Sequence, residues 1–194
     1  MKGVVFGASI VAGYYAPNNL GWVSLLNKKF MMKDLFFYNR AVSGNTSEDL
    51  KNYFEVELNA INPHIVLISI GTNDTARENG ILWVSKENYA KNIREFIAIL
   101  NKRKIKVILV GISNVDEDRT TPVSWINLNY YNSEIKAYND ILKEISEENN
   151  IPFIDIFGLI EKEELQDGLH PNDKGHEKIY EKVKEFLIKS NLIK

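Results

Sequence analysis

Residues 64–74, HIVLISIGTND, decide the fold. From Ile65 to Ile70 the run is almost continuously apolar and largely β-branched, without the polar alternation of a half-exposed strand, and it stops abruptly at Gly71-Thr72-Asn73-Asp74. Such a run reads as a strand covered on both faces, the condition of a parallel sheet. Similar short runs lie on either side, at Lys2 to Phe6, Leu35 to Tyr38, Ile105 to Gly111 and Pro152 to Ile156. Between them the apolar residues take helical spacing. Trp22, Leu25 and Leu26 form the first set, Leu50, Phe54 and Leu58 the second, and Tyr89, Ile93, Phe96, Ile97 and Leu100 the third. Tyr138, Ile141, Leu142 and Ile145 continue the series, and Ile179, Val183, Phe186 and Leu187 close it.

Strict strand–helix alternation predicts right-handed crossovers and an α/β fold of three layers, flavodoxin-like, with a five-stranded parallel sheet between helices on both faces. In such sheets ligands sit outside the carboxyl ends of the strands. Ser9, Gly44, Asn73 and Ser113 all fall just beyond predicted strand ends.

Composition bounds the function. At 194 residues and 44% hydrophobic, the chain is expected to form one domain over residues 1–194. Lysine and arginine total 24 against 26 acidic residues, and neither sign gathers into a block, so neither nucleic acid nor a membrane surface is an expected partner. A small-molecule ligand is expected; the sequence does not bear on oligomeric state. No cysteine is present, which removes thiolate nucleophiles and thiolate metal sites. No apolar stretch approaches the ~20 residues of a membrane span, and Met1-Lys2-Gly3 runs into the first strand without an export signal, so a cytoplasmic location is expected.

Near the other end, Asp167-Gly168-Leu169-His170-Pro171-Asn172 sets a carboxylate three positions before an imidazole. Pro171 disfavours helical backbone at His170, and Asn172 or Asp173 is placed to cap the last helix. Asp167 at this spacing is able to reach the ring's δ nitrogen, fix its tautomer and stabilise an imidazolium. An unperturbed imidazole titrates near ~6.5, so activity is expected to rise as the base becomes neutral. An isolated Asp-x-x-His is also an ordinary polar turn before a helix.

A nucleophile would have to come from elsewhere, and Ser9 in Gly7-Ala8-Ser9 leaves the first strand on a turn with small neighbours. The stretch through Gly13 has a second reading as a phosphate cradle of an NADP- or nucleotide-binding domain. That reading lacks a glycine where Ser9 stands, and its second strand ends in Asn39-Arg40 rather than an acidic residue. A third reading is a serine that caps a turn. An acyl-transfer enzyme also needs donors for a tetrahedral oxyanion, and the Gly44 N–H and Asn73 amide are chemically suited to it, although both motifs also serve as plain turns.

Taken in order, GASIVAG, NRAVSGNTS, ISIGTND and DGLHPN resemble the SGNH hydrolases, or GDSL lipases and esterases, over nearly the whole chain. The resemblance implies a serine esterase or acylhydrolase working through an acyl-serine intermediate, with Ser9 as nucleophile, His170 as base and then acid, and Asp167 as its orienter. It implies an oxyanion hole from the Ser9 and Gly44 backbone N–H groups and the Asn73 side chain, and no cofactor. A metal held by Asp167, His170 and His176 is conceivable, but no His-Glu-x-x-His or other close ligand pattern supports it, so no metal is expected. The chain departs from the family's usual Gly-Asp-Ser at Ala8. That substitution admits a catalytically silent carbohydrate- or lipid-binding relative as a rival. Short acyl or acetyl groups are the expected substrates.

Of the remaining residues, His64 reads as structural and His176 as exposed on the last helix. The stretch Ile112 to Ile126 reads as a lid, a binding loop or a solvated insertion. Tyr14, Tyr15, Trp83 and Trp125 would either line a substrate pocket or complete the core.

Overall fold

The computed structural model describes residues 1–16 and 20–190. Its sheet holds β1 (Lys2–Gly7), β2 (Phe36–Asn39), β3 (Ile65–Ser69), β6 (Lys106–Val110) and β7 (Phe153–Ile154), all parallel, in the order β2-β1-β3-β6-β7. The two apolar runs richest in β-branched residues, β3 and β6, lie at or next to the centre. Successive side chains of a strand point to opposite faces, so each strand feeds two cores. Val66 and Ile68 face one core, with Phe54, Phe96, Tyr89 and Tyr138. Ile65 and Leu67 face the other, with Trp22, Leu26, Ile179 and Val183. Each such fully buried side chain contributes roughly 1.5–3 kcal/mol relative to exposure.

The helices on the first face are α3 (Ser47–Lys51), α4 (Phe54–Ile61), α5 (Lys86–Lys102) and α7 (Asn132–Glu148). On the second lie α2 (Trp22–Phe30) and α8 (Asp173–Lys189). Leu50, Phe54 and Leu58 point to one helix in the sequence but fall on two, separated at Asn52-Tyr53. All three remain buried in the same core. The break leaves the Tyr53 hydroxyl to accept a hydrogen bond from Asn45, 3.0 Å away, which steadies the loop around Gly44. Thr46 starts α3 through a reciprocal capping box with Asp49. Ser85 caps α5 and Asn172 caps α8 through Lys174 and Gly175.

A two-stranded hairpin, β4 (Arg77–Glu78) with β5 (Ile81–Leu82), turns at Asn79-Gly80 and was not visible as a strand pattern. Residues 112–126 contain the helical turn α6 (Glu117–Thr120) and bury Val115, Asp116, Thr120 and Val123. They are a packed wall of the molecule, which corrects the reading as a solvated insertion. No helix of the described residues is long and apolar enough to cross a membrane.

Candidate active site

Gly7 ends β1 under close approach: a Cβ there would lie 2.2 Å from Val11 Cγ2 and 2.5 Å from the Ser69 carbonyl. Only glycine lets the single turn α1 (Ser9–Ala12) fold back against the strand ends. That turn carries Ser9 over the carboxyl edge of the sheet. At the same edge Asp167 and His170 arrive on the loop before α8, 161 residues along the chain.

The three side chains form a continuous hydrogen-bonded line. Ser9 Oγ lies 2.9 Å from His170 Nε2, and His170 Nδ1 lies 2.7 Å from Asp167 Oδ2. The other carboxylate oxygen, Oδ1, accepts the Leu169 N–H at 2.9 Å and the His170 N–H at 2.7 Å, so the orienter is itself oriented. Burial pushes the Asp167 carboxyl up, but the hydrogen bonds from the His170 ring and backbone outweigh it and hold the group below the usual carboxylate range. An ionised Asp167 accepts the Nδ1 proton and leaves a lone pair on Nε2 toward Ser9, the tautomer a general base needs.

Gly44 and Asn73 come to this site from the loops after β2 and β3. Both line one cleft with Ser9 and His170. The Asn73 side chain is fixed at both ends: Nδ2 donates to the Asn45 carbonyl at 2.9 Å, and Oδ1 accepts from the Tyr130 hydroxyl at 3.2 Å. A carbonyl accepts only, so the amide orientation follows, and among the described residues the second Nδ2 hydrogen has no partner. Gly44 takes left-handed backbone (φ 83°), and the side where a side chain would stand is open. The five residues expected to act together are thus gathered at one place.

Asp74 is the partner that sequence reasoning passed over. It is fully buried, and it accepts hydrogen bonds from both the backbone N–H (3.0 Å) and the hydroxyl of Ser47. Ser47 Oγ in turn accepts from Asn92 Nδ2 at 2.9 Å. Through this clamp the loop bearing Asn73 is tied to the loop bearing Gly44. Burial pushes the Asp74 carboxyl up to about 6, although the Ser47 hydrogen bonds pull it the other way. No local pattern signals this role, because its partner Ser47 lies 27 residues away in sequence.

The cleft has a volume of about 210 Å³ and walls of Tyr14, Trp83, Val123, Trp125, Ile126, Leu128 and Tyr130. Of the four aromatic residues noted in the sequence, Tyr14, Trp83 and Trp125 line it and remain 40–53% exposed. The rings of Tyr14 and Tyr15 stand 5.0 and 5.7 Å from the His170 ring. Val123, Trp125 and Ile126 of the 112–126 stretch thus line the cleft.

Other residues play different parts. His176 is buried, not exposed, which corrects the reading from its position early in α8. Its Nε2 donates to the Tyr14 carbonyl at 3.1 Å and ties α8 to the segment that flanks His170. Burial pushes its pKa down more than that bond raises it, which favours the neutral ring. His64 accepts the Lys2 N–H at 3.0 Å and stays structural at the opposite edge. Ser113 is buried beneath the nucleophile turn, where it lines a small cavity of about 20 Å³ with Ala8 and Ser9. Arg40, the residue that might have met a nucleotide phosphate, pairs with Glu57 at 2.7 Å. Among the described residues no three His, Asp or Glu groups could hold a metal. Ala8 is buried, and the line from Ser9 to Asp167 is complete with alanine at that position.

Comparisons with known proteins bear on the fold and the family. A lipase/acylhydrolase from Enterococcus faecalis superposes with a TM-score of 0.77 at 23% identity, over 96% of this chain and 94% of that one. LAE5, an α/β hydrolase enzyme from the metagenome of Lake Arreo, gives a TM-score of 0.75 at 22% identity, over 100% and 96%. A catalytic mutant of Axe2, an acetylxylan esterase from Geobacillus stearothermophilus, gives 0.75 at 20% identity, over 95% and 92%. These superpositions establish a shared fold. No curated relative matches the sequence. Residues 5–178, however, match the GDSL-like Lipase/Acylhydrolase family, and the chain belongs to that family.

Proposed function

We propose that this chain is a serine esterase that hydrolyses carboxylic esters with short acyl groups through an acyl-Ser9 intermediate. The observation that carries the reading is the hydrogen-bonded line from Ser9 Oγ through the His170 ring to Asp167. His170 Nε2 takes the Ser9 proton as Oγ attacks the ester carbonyl, and Asp167 stabilises the imidazolium. The oxyanion that forms meets the free Asn73 amide hydrogen and the Gly44 and Ser9 N–H groups. Collapse breaks the bond to the leaving alkoxide, which receives the proton from His170. Water, deprotonated by the same nitrogen, then attacks the acyl-serine, and as the bond to Ser9 Oγ breaks, His170 returns that proton to the serine and the acid is released.

Two features support a short acyl group. The cleft, at about 210 Å³, is smaller than the ~300 Å³ at which drug-sized pockets begin, and Trp83, Val123 and Trp125 wall it. Its mouth carries exposed aromatic faces, which suit the apolar face of a sugar ring; one structural neighbour is an acetylxylan esterase.

The test is a series of p-nitrophenyl esters from acetate to laurate, run beside acetylated xylo-oligosaccharides. Acetate and butyrate are expected to lead in kcat/KM, with Ser9→Ala inert on all of them. Rates that climb to the longest chains would overturn the short-acyl reading. Undiminished turnover by Ser9→Ala would overturn the esterase reading.

A further inference from the structure

The turn that carries Asp167 and His170 closes on itself through Asp167 Oδ1, which accepts the Leu169 and His170 N–H groups, and it is braced from outside as well. Its residues 166–170 form neither helix nor strand, and its own backbone closes through the Gln166 N–H to the His170 carbonyl at 2.8 Å. From outside it meets residues 116–120. Arg119 reaches across with its whole guanidinium: Nη1 donates to the Gln166 carbonyl at 3.2 Å, and Nη2 donates to the Leu165 and Lys162 carbonyls at 2.8 and 3.0 Å. Nε donates to Asp116 Oδ2 at 2.8 Å, which holds the fork in place. The Asp116 N–H donates to the Gly168 carbonyl, midway between the two members of the dyad, at 2.8 Å. Gly168 itself has left-handed backbone (φ 92°), and a Cβ there would lie 2.7 Å from Arg119 Cβ. The turn is moulded against Arg119 on one side and hung from its donors on the other.

The same segment continues to the oxyanion donors. The Tyr130 N–H donates to the Thr120 carbonyl at 2.9 Å, and the Tyr130 hydroxyl donates to Asn73. Between these points lie Val123, Trp125, Ile126 and Leu128 of the cleft wall. We propose that Arg119 is a positioning residue that sets the Asp167–His170 turn in register with Ser9 and makes the dyad, the cleft wall and Asn73 one mechanical unit. The proposal rests on the esterase reading for its kinetic consequences but not for its structural ones. A lysine at 119 would carry a single ammonium on a flexible stem and lacks the planar fork that serves three carbonyls and a carboxylate together.

The experiment compares the wild type with Arg119→Ala and Arg119→Lys by steady-state kinetics on p-nitrophenyl acetate. It also compares the far-downfield proton resonance of His170 Nδ1–H, assigned by its loss in His170→Gln. Arg119→Ala is expected to lower kcat by about 10- to 100-fold with KM changed less than about threefold, and to shift or broaden the resonance. Arg119→Lys is expected to fall between the two. If alanine prevents folding, the lysine variant supplies both readouts.

A variant that melts earlier but keeps the wild-type kcat and resonance would reduce Arg119 to a structural ion pair and overturn the proposal. A lowered kcat with an unmoved resonance would overturn it as well, since Arg119 would then act through the cleft alone. If the wild type shows no Ser9-dependent turnover, the esterase reading fails, and the resonance still decides whether Arg119 holds the dyad.

Discussion

Replacing Asp167 by asparagine isolates the part of the site that geometry defines best. The backbone N–H groups of Leu169 and His170 both donate to Oδ1, so they require an oxygen there. In asparagine that oxygen stays, the turn keeps both bonds, and the new NH₂ takes the place of Oδ2, 2.7 Å from His170 Nδ1. Two donors cannot face each other. The imidazole must present a lone pair at Nδ1 and carry its proton on Nε2, toward Ser9 Oγ at 2.9 Å. Nε2 then has nothing with which to accept the serine proton.

A wrong tautomer in a preserved triad lowers kcat by about 10⁴-fold, equivalent to about 5.5 kcal/mol of transition-state stabilisation. The assay is kcat for p-nitrophenyl acetate at slightly alkaline pH, with KM expected within about threefold of the wild type because no cleft residue changes. Asp167→Ala is the harsher control, since it also strips the two backbone donors of their acceptor. A kcat for Asp167→Asn within tenfold of the wild type would refute the assignment of Asp167 as the orienter.

Asn73→Ala removes one oxyanion donor and is expected to lower kcat by roughly 100-fold, about 3 kcal/mol, with little effect on KM; equal losses in binding and turnover would count against the role. Tyr130→Phe frees the Asn73 carbonyl oxygen and should produce a smaller loss in the same direction, read as a kcat ratio; a loss larger than that of Asn73→Ala would contradict it. Asp74 gives a pH signature in stability. Its carboxyl is raised to about 6, so between its ordinary value and that point the native state binds more protons than the unfolded state, and stability falls as pH rises. Two units correspond to about 3 kcal/mol. Urea unfolding of the wild type minus that of Asp74→Asn should fall by that order between about pH 4 and pH 6; a flat difference would contradict it. Asp167, held low, contributes with the opposite sign, but it is common to both proteins and cancels.

The sheet was legible because the strands of a doubly covered sheet have no solvent face: runs such as Ile65 to Ile70 need no tertiary information to be recognised. The hairpin at 77–82 was not, since two-residue strands are too short to show a period. Its signal was chemical instead, in Asn79-Gly80, both with left-handed backbone. Ser9, Asp167 and His170 were readable only together, through the GASIVAG and DGLHPN segments in the order that resembles the SGNH hydrolases; each alone also reads as an ordinary turn. Asp74, Tyr130 and Arg119 were not. Each acts by a hydrogen bond to a residue remote in sequence, and nothing in its local pattern distinguishes it from a capping carboxylate, a core tyrosine or a surface arginine. His176 misled for the same reason, because its hydrogen-bond partner, the Tyr14 carbonyl, lies on a segment remote in sequence.

Covalent labelling of Ser9 tests the central claim most directly. The wild-type protein treated with a fluorophosphonate should gain one adduct by intact mass, mapped by fragmentation to Ser9. Labelling should slow strongly in His170→Gln and vanish in Ser9→Ala. An adduct on another residue, or an unlabelled wild type, would contradict the account of Ser9 as a nucleophile activated by His170 and Asp167.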